Sequence, residues 1–174
     1  FKGGLKVMQA ANVTVDNCKF EGDGTKDYAF FAQAATMDSV VFTKNEVSNF
    51  QRGINVQDFS GTANVTISNN EIKNITGKTE NSVTYGSAIQ LTNAKTFTVT
   101  SNTISNVDVN ALHIYNGCAA DSIVINENDI TAAYLCWNEA NYTNVTSSGN
   151  TLNITNAGKC VTKTAEVDSD FALS

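Results

Sequence analysis

Within the stretch Asn64 to Asn74 (NVTISNNEIKN), Val65, Ile67 and Ile72 are apolar, Thr66 and Ser68 are polar, and an Asn pair separates the alternating run from the next apolar position. Period-two alternation closed by turn-forming residues predicts a short strand followed by a bend. The phrase returns as NVTVDNCKFEG from Asn12, SVVFTKNEVSN from Ser39, TFTVTSNTISN from Thr96, SIVINENDITA from Ser122 and NVTSSGNTLNI from Asn144. Five of the six copies carry an asparagine in one slot (Asn45, Asn70, Asn102, Asn128 and Asn150), and the first carries Cys18 there. Successive slots lie 27, 25, 32, 26 and 22 residues apart, the repeat range of a solenoid.

A second phrase runs out of step with the first. A small residue precedes a short apolar or alternating run at Gly4-Leu5-Lys6-Val7, Ala29-Phe30-Phe31-Ala32, Gly53-Ile54-Asn55-Val56, Ala88-Ile89-Gln90-Leu91 and Ala111-Leu112-His113-Ile114. It continues less cleanly at Ala133-Tyr134-Leu135-Cys136 and Gly158-Lys159-Cys160-Val161, where the register is open by one residue. Each repeat therefore holds two or three strands joined by turns of Asn, Gly, Ser and Asp. A single coil cannot cover its inward Val, Ile, Leu and Phe, so it must stack on the coils above and below. An asparagine repeated at one slot suits that stacking, because its amide can bond the next coil's amide and cap turn backbone, with Cys18 ending the ladder. The pattern predicts an all-β parallel solenoid of about six to seven coils, one domain over residues 1–174.

The V-x-I-x-x-N-x-I phrase, the Asn ladder and the small-then-alternating second strand together resemble the right-handed parallel β-helix repeats of the pectate-lyase-like superfamily. That group includes pectin and alginate lyases, polygalacturonases, phage tailspikes and surface adhesins. The resemblance covers the chain from Leu5 to about Val161. It implies the right hand, in line with the general preference for right-handed parallel crossovers. It implies little about function, since function resides in sites placed on the scaffold. Polygalacturonase-like hydrolases resemble one another in Asn-Thr-Asp, Asp-Asp, Gly-His-Gly and Arg-Ile-Lys strings, and none of these occurs here. Lyases need a base and a neutraliser for the uronate carboxylate, and Arg52 is the sole arginine. Paired hydrolytic carboxylates are not indicated either, because Asp58, Asp108, Asp129 and Glu139 do not fall at matching repeat positions.

Charge and cysteine content narrow the partners. A net charge of -6 and a pI near 4.6 disfavour nucleic acid, which draws on clustered Lys and Arg. No apolar run approaches the ~18 residues of a membrane span. The chain opens inside a repeat without an initiator Met, so it is expected to be a fragment of a longer chain. Cys18, Cys118, Cys136 and Cys160 form no CxxC pair and read as buried thiols; Cys136 and Cys160, one repeat apart, could also face each other across adjacent coils. Asn-x-Thr triplets at Asn12, Asn64, Asn74, Asn141, Asn144 and Asn153 read as products of the repeat. Asp168-Ser169-Asp170 is the weak calcium candidate; otherwise no metal or cofactor is expected.

The outward positions of the second strand carry the candidate chemistry. If Ile54, Ile89 and Leu112 point inward, Asn55, Gln90 and His113 point outward one rung apart. Gln57, Thr92 and Tyr115 are expected two residues further along, Trp137 near the matching place on the next coil, and Arg52 beside the row. Amides next to aromatic faces are what sugars select, hydroxyls to the former and C–H faces to the latter. Arg52, Asn55, Gln90, His113, Tyr115 and Trp137 are thus the expected glycan-binding strip. His113 lacks an orienting partner recognisable from sequence, so no catalytic role is assigned to it. TGKTENSVTYGS, from Thr76 to Ser87, occupies the widest ladder interval and is expected to leave the coil and shape the rim. Thr14, Thr66, Thr98 and Thr146 share an outward slot, but Val41 and Val124 interrupt it, which disfavours an ice-binding array. The expectation is a secreted or cell-surface carbohydrate-binding or adhesive segment of a larger protein, engaging a polysaccharide or a host or microbial surface glycan. A lyase or hydrolase fragment and a ligand-free stalk are the alternatives.

Overall fold

The computed structural model describes residues 1–139 and 144–156, together with the backbone of strands 160–162 and 166–167. Gly158 and Lys159, the side chain of Cys160, Asn141 and Asp168-Ser169-Asp170 lie outside the described residues. No helix occurs among the described ones. Three parallel strand stacks run along one axis. The ladder sheet pairs Asn12–Asp16, Ser39–Thr43, Asn64–Ser68, Thr96–Thr100, Ser122–Asn126 and Val145–Ser148 in that order, one strand per coil. Its Thr14, Val41, Thr66, Thr98, Val124 and Thr146 stand in one column, so the sequence alignment and the register agree residue for residue.

The second stack, here called the cleft sheet, pairs Leu5–Met8, Tyr28–Ala34, Arg52–Asp58, Ser87–Asn93 and the ends of Thr103–Ile114 and Asp129–Asn138. The third pairs Lys19–Glu21, Glu46–Phe50, Glu71–Ile75, the beginnings of those same two long strands, and Thr151–Ile154. The inward positions fill the interior. Leu5, Phe30, Ile54, Ile89, Leu112 and Cys136 make one rung-by-rung column, and Phe42 stacks on Phe30 with ring centroids 4.8 Å apart.

The asparagine ladder runs as the repeat predicts. The side-chain oxygen of each Asn accepts from both the backbone and side-chain N–H of the ladder residue one coil earlier: Asn45 to Asn70, Asn70 to Asn102, Asn102 to Asn128 and Asn128 to Asn150, all at 2.9–3.1 Å. Each amide also donates to a strand carbonyl, Asn70 to Phe42 and Asn102 to Ile67. At the first coil only the Cys18 backbone N–H donates to Asn45, since the thiol cannot replace the amide. The residue before every slot, from Asn17 through Lys44, Asn69, Ser101 and Glu127 to Gly149, has φ between 51° and 66°, a conformation that Asn and Gly, which fill three of the six positions, adopt at least cost. A second, outer ladder joins Asn49, Asn74 and Asn106, each also at positive φ, through amide bonds of 2.9 and 3.2 Å.

Two local expectations need correction. Leu112 pairs with Cys136, so Leu135 rather than Ala133 stands opposite the small-residue slot of Ala111. The offset is two residues, absorbed by bulges between Ile104 and Asn110 where two strands merge into one. The outward row Gln57–Thr92–Tyr115 is also broken: a bulge after Leu91 pairs Gln57 with Asn93 and leaves Thr92 as the extra residue.

Asp58, one of the carboxylates set aside above because they do not fall at matching repeat positions, is a turn anchor. It is fully buried and accepts from the backbone N–H groups of Met37, Ser60, Thr62 and Ala63 and from the Ser60 hydroxyl at 2.6–3.2 Å. Burial alone would raise its pKa; the Ser60 hydroxyl and the Ala63, Thr62 and Ser60 amides outweigh that and hold it below the usual carboxylate value. The folded pKa is therefore the lower one. The stabilisation is present above the unfolded value of about 3.9 and is lost as pH falls through the folded one. Asp58→Asn is expected to cost about 2–3 kcal/mol at pH 7 and to flatten the decline in stability between about pH 5 and 2, as read by urea unfolding across that range.

Candidate functional site

One rung of the cleft sheet's outer face reads Lys6, Phe31, Asn55, Gln90, His113, Trp137 from coil to coil. From Asn55 to Trp137 this is three strand spacings, roughly 14 Å. Arg52, Tyr85, Gln90, His113, Tyr115, Trp137 and Glu139 line a half-open cleft of about 330 Å³ over the far half of that row. Its wall is the loop singled out above. Lys78–Glu80 and Val83–Tyr85 form an antiparallel hairpin that brings Val83, Tyr85 and Gly86 to the rim. Gly86 sits at φ 141°, and a Cβ there would press on the Arg52 side chain, so the hairpin can return to the sheet only through glycine.

His113 is the centre of the far half. Trp137, its rung partner, stacks on the imidazole with centroids 4.4 Å apart and planes within 3°. Tyr115 meets it edge-on at 5.8 Å and is itself 41% exposed. Glu139 Oε2 lies 3.1 Å from His113 Nε2 and also accepts from the Asn116 backbone N–H at 3.4 Å. Burial pushes the His113 pKa down, and the Glu139 carboxylate opposes this only in part, so the ring is neutral at pH 7. In that state Nε2–H donates to Glu139 and Nδ1 is the basic nitrogen.

Glu139 is the residue that sequence reasoning missed as a site member. The signal was present. Strand alternation puts it on the same side as Trp137, and its backbone N–H donates to the Ile114 carbonyl, so it lies one rung from Tyr115.

The near half is a closed polar network. Tyr28 donates to Gln90 Oε1 at 3.2 Å, Asn55 Nδ2 to the Tyr28 hydroxyl at 3.4 Å, Thr92 to Asn55 Oδ1 at 2.6 Å, and Gln90 Nε2 to Thr92 at 3.2 Å. Asn55 is only 4% exposed, so its amide serves the network and positions Gln90. Arg52 lies against aromatic rings, its guanidinium 4.1 Å from the Tyr28 centroid and 5.8 Å from that of Tyr85. Nε and Nη2 each lie 2.5 Å from one oxygen of Asp27, a bidentate pair. Of the six expected residues, Arg52, Gln90, His113, Tyr115 and Trp137 line one cleft, and Asn55 lies beneath it.

Cys18 and Cys118 are free thiols, Cys118 buried and its pKa raised by that burial. The Cα positions of Cys136 and Cys160 are register partners on adjacent strands. No group of three or more potential metal ligands occurs among the described residues.

A family model described as a right handed beta helix region matches residues 2–83. Beyond residue 83 the same three stacks and the same ladder continue, coil on coil. The chain is a parallel β-helix repeat protein. No match is found among curated proteins or among solved structures.

Proposed function

We propose that this β-helix is a carbohydrate-binding or adhesive segment of a larger secreted or cell-surface protein, and that the cleft holds a polysaccharide or surface glycan. The observation that carries the reading is the meeting of Tyr115, Tyr85 and Trp137 with Gln90, His113 and Glu139 in one cleft. Rings give C–H faces a flat apolar surface, and fixed amide, imidazole and carboxylate groups give hydroxyls directional partners. Because His113 covers one face of the indole, Tyr115 is the ring with most surface to offer. Tyr115→Ala is expected to lower glycan affinity at least about tenfold while leaving the thermal midpoint nearly unchanged, measured by glycan array and calorimetric titration. Wild-type binding retained in that variant would remove Tyr115 from the site.

The His113–Glu139 bond favours a second reading, a piece of a lyase or hydrolase in which neutral His113 is the base. Two features weigh against it. Hydrolysis by the common route needs two facing carboxylates, and the described cleft lining supplies only Glu139. Elimination from a uronate needs a cation free to neutralise the carboxylate, and the fork of Arg52 is taken by Asp27. Release of reducing ends or unsaturated products from polysaccharide would decide for the enzyme.

A further inference from the structure

We propose that the cleft selects neutral saccharides and rejects uronates and other acidic sugars. This rests on the glycan-binding reading and names the substrate class of that site. Arginine recognises a carboxylate through a two-pronged edge, and here the Nε/Nη2 edge already holds both oxygens of Asp27 at 2.5 Å, so the Arg52 charge is paired within the protein. The guanidinium also sits over the Tyr28 ring at 4.1 Å and near that of Tyr85 at 5.8 Å, and its side chain is only 16% exposed. The charge of Arg52 is therefore paired with that of Asp27 before any ligand arrives.

No lysine lines the described cleft, so no second cation stands in for it. Glu139 does line it, with a side chain 19% exposed. Its partners are a neutral imidazole and one backbone N–H, neither of which cancels the charge. The cleft thus carries one uncompensated negative charge on a protein of net charge -6. A sugar carboxylate entering it would lose water, gain no cation and face Glu139, whereas a neutral hydroxyl could donate to that carboxylate in a charge-assisted bond. The same residue that repels an acidic sugar rewards a neutral one.

The test compares the full chain with two point variants against matched oligosaccharides: gluco- and manno-oligosaccharides and the corresponding oligoglucuronates and oligomannuronates. Wild type is expected to bind the neutral member of a pair at least about tenfold more tightly. Asp27→Asn, which frees the Arg52 fork, and Glu139→Gln, which removes the repelling charge, are each expected to narrow that gap. Asp27 does not line the cleft and its side chain is 44% exposed, so its variant tests the Arg52 pairing without altering the lining itself. Wild-type preference for the uronate, or a gap unchanged in both variants, would overturn the selectivity while leaving a glycan site standing. Binding of neither class by wild type would remove the glycan reading and this inference with it.

Discussion

Asn70→Ala is expected to lower the unfolding free energy by about 3–5 kcal/mol. Asn70 is 2% exposed, and its side chain touches three coils at once. Its oxygen accepts from the backbone and side-chain nitrogens of Asn45, and its nitrogen donates to the Phe42 carbonyl and to Asn102. Alanine would orphan a buried donor on one side and a buried acceptor on the other, each costing about 1–3 kcal/mol, and no water fills a site closed by packed strands. Asn70→Asp sharpens the point. The carboxylate could still accept from Asn45, but it would place an acceptor against the Phe42 carbonyl and the Asn102 oxygen. Its loss is expected to match or exceed that of alanine at pH 7. Urea midpoints of the two variants check both statements, and a change below about 1 kcal/mol for alanine would mean that the ladder is decoration.

Gly53→Val is expected to cost about 3 kcal/mol or more, through contact rather than through backbone conformation. Gly53 is not among the glycines at positive φ. A Cβ there would instead fall inside the carbonyl group of Ala88 on the adjacent coil, and rigid backbone cannot give way as a flexible side chain would. Gly4 stands in the same relation to the Tyr28 carbonyl. Relief would require the Arg52–Asp58 strand to part from Ser87–Asn93, breaking the Ile54–Ile89 rung and the seat of Arg52. Gly53→Ala already introduces the offending atom, so it is expected to take most of the loss. An alanine variant within about 1 kcal/mol of wild type in the same unfolding experiment would show that the coils can spread at this corner.

The fold was legible because its determinants repeat. The Thr14-to-Thr146 column and the Asn45-to-Asn150 ladder recur once per coil, so six weak local signals reinforce one alignment. The small residue ahead of each second strand was legible as a pattern, while its cause, the approach of a neighbouring carbonyl at Gly53, was not. Where the repeat is disturbed, reading failed: between Ile104 and Asn110 two strands fuse through bulges, and the partner of Leu112 shifted by two. The cleft was half legible. Alternation along each strand put Asn55, Gln90, His113 and Trp137 on one side, but it cannot tell an exposed amide from a buried one, and Asn55 proved to be buried and bonded to Tyr28 and Thr92. Arg52 with Asp27 and His113 with Glu139 each span one coil, 25 and 26 residues, but no other coil repeats either pair, so no alignment of the copies singles them out.

The Lys78–Tyr85 hairpin has one more implication. The ladder step that spans it, Asn70 to Asn102, is 32 residues long yet closes at 3.0 and 2.9 Å, as tightly as the 25- and 26-residue steps on either side. Coil closure is thus blind to what the chain does between Ile75 and Ser87, and the entropy of a longer excursion grows only logarithmically with its length. The cleft wall is in effect an interchangeable part. A different hairpin seated on the same two coils would re-aim the site without asking the solenoid beneath it to change.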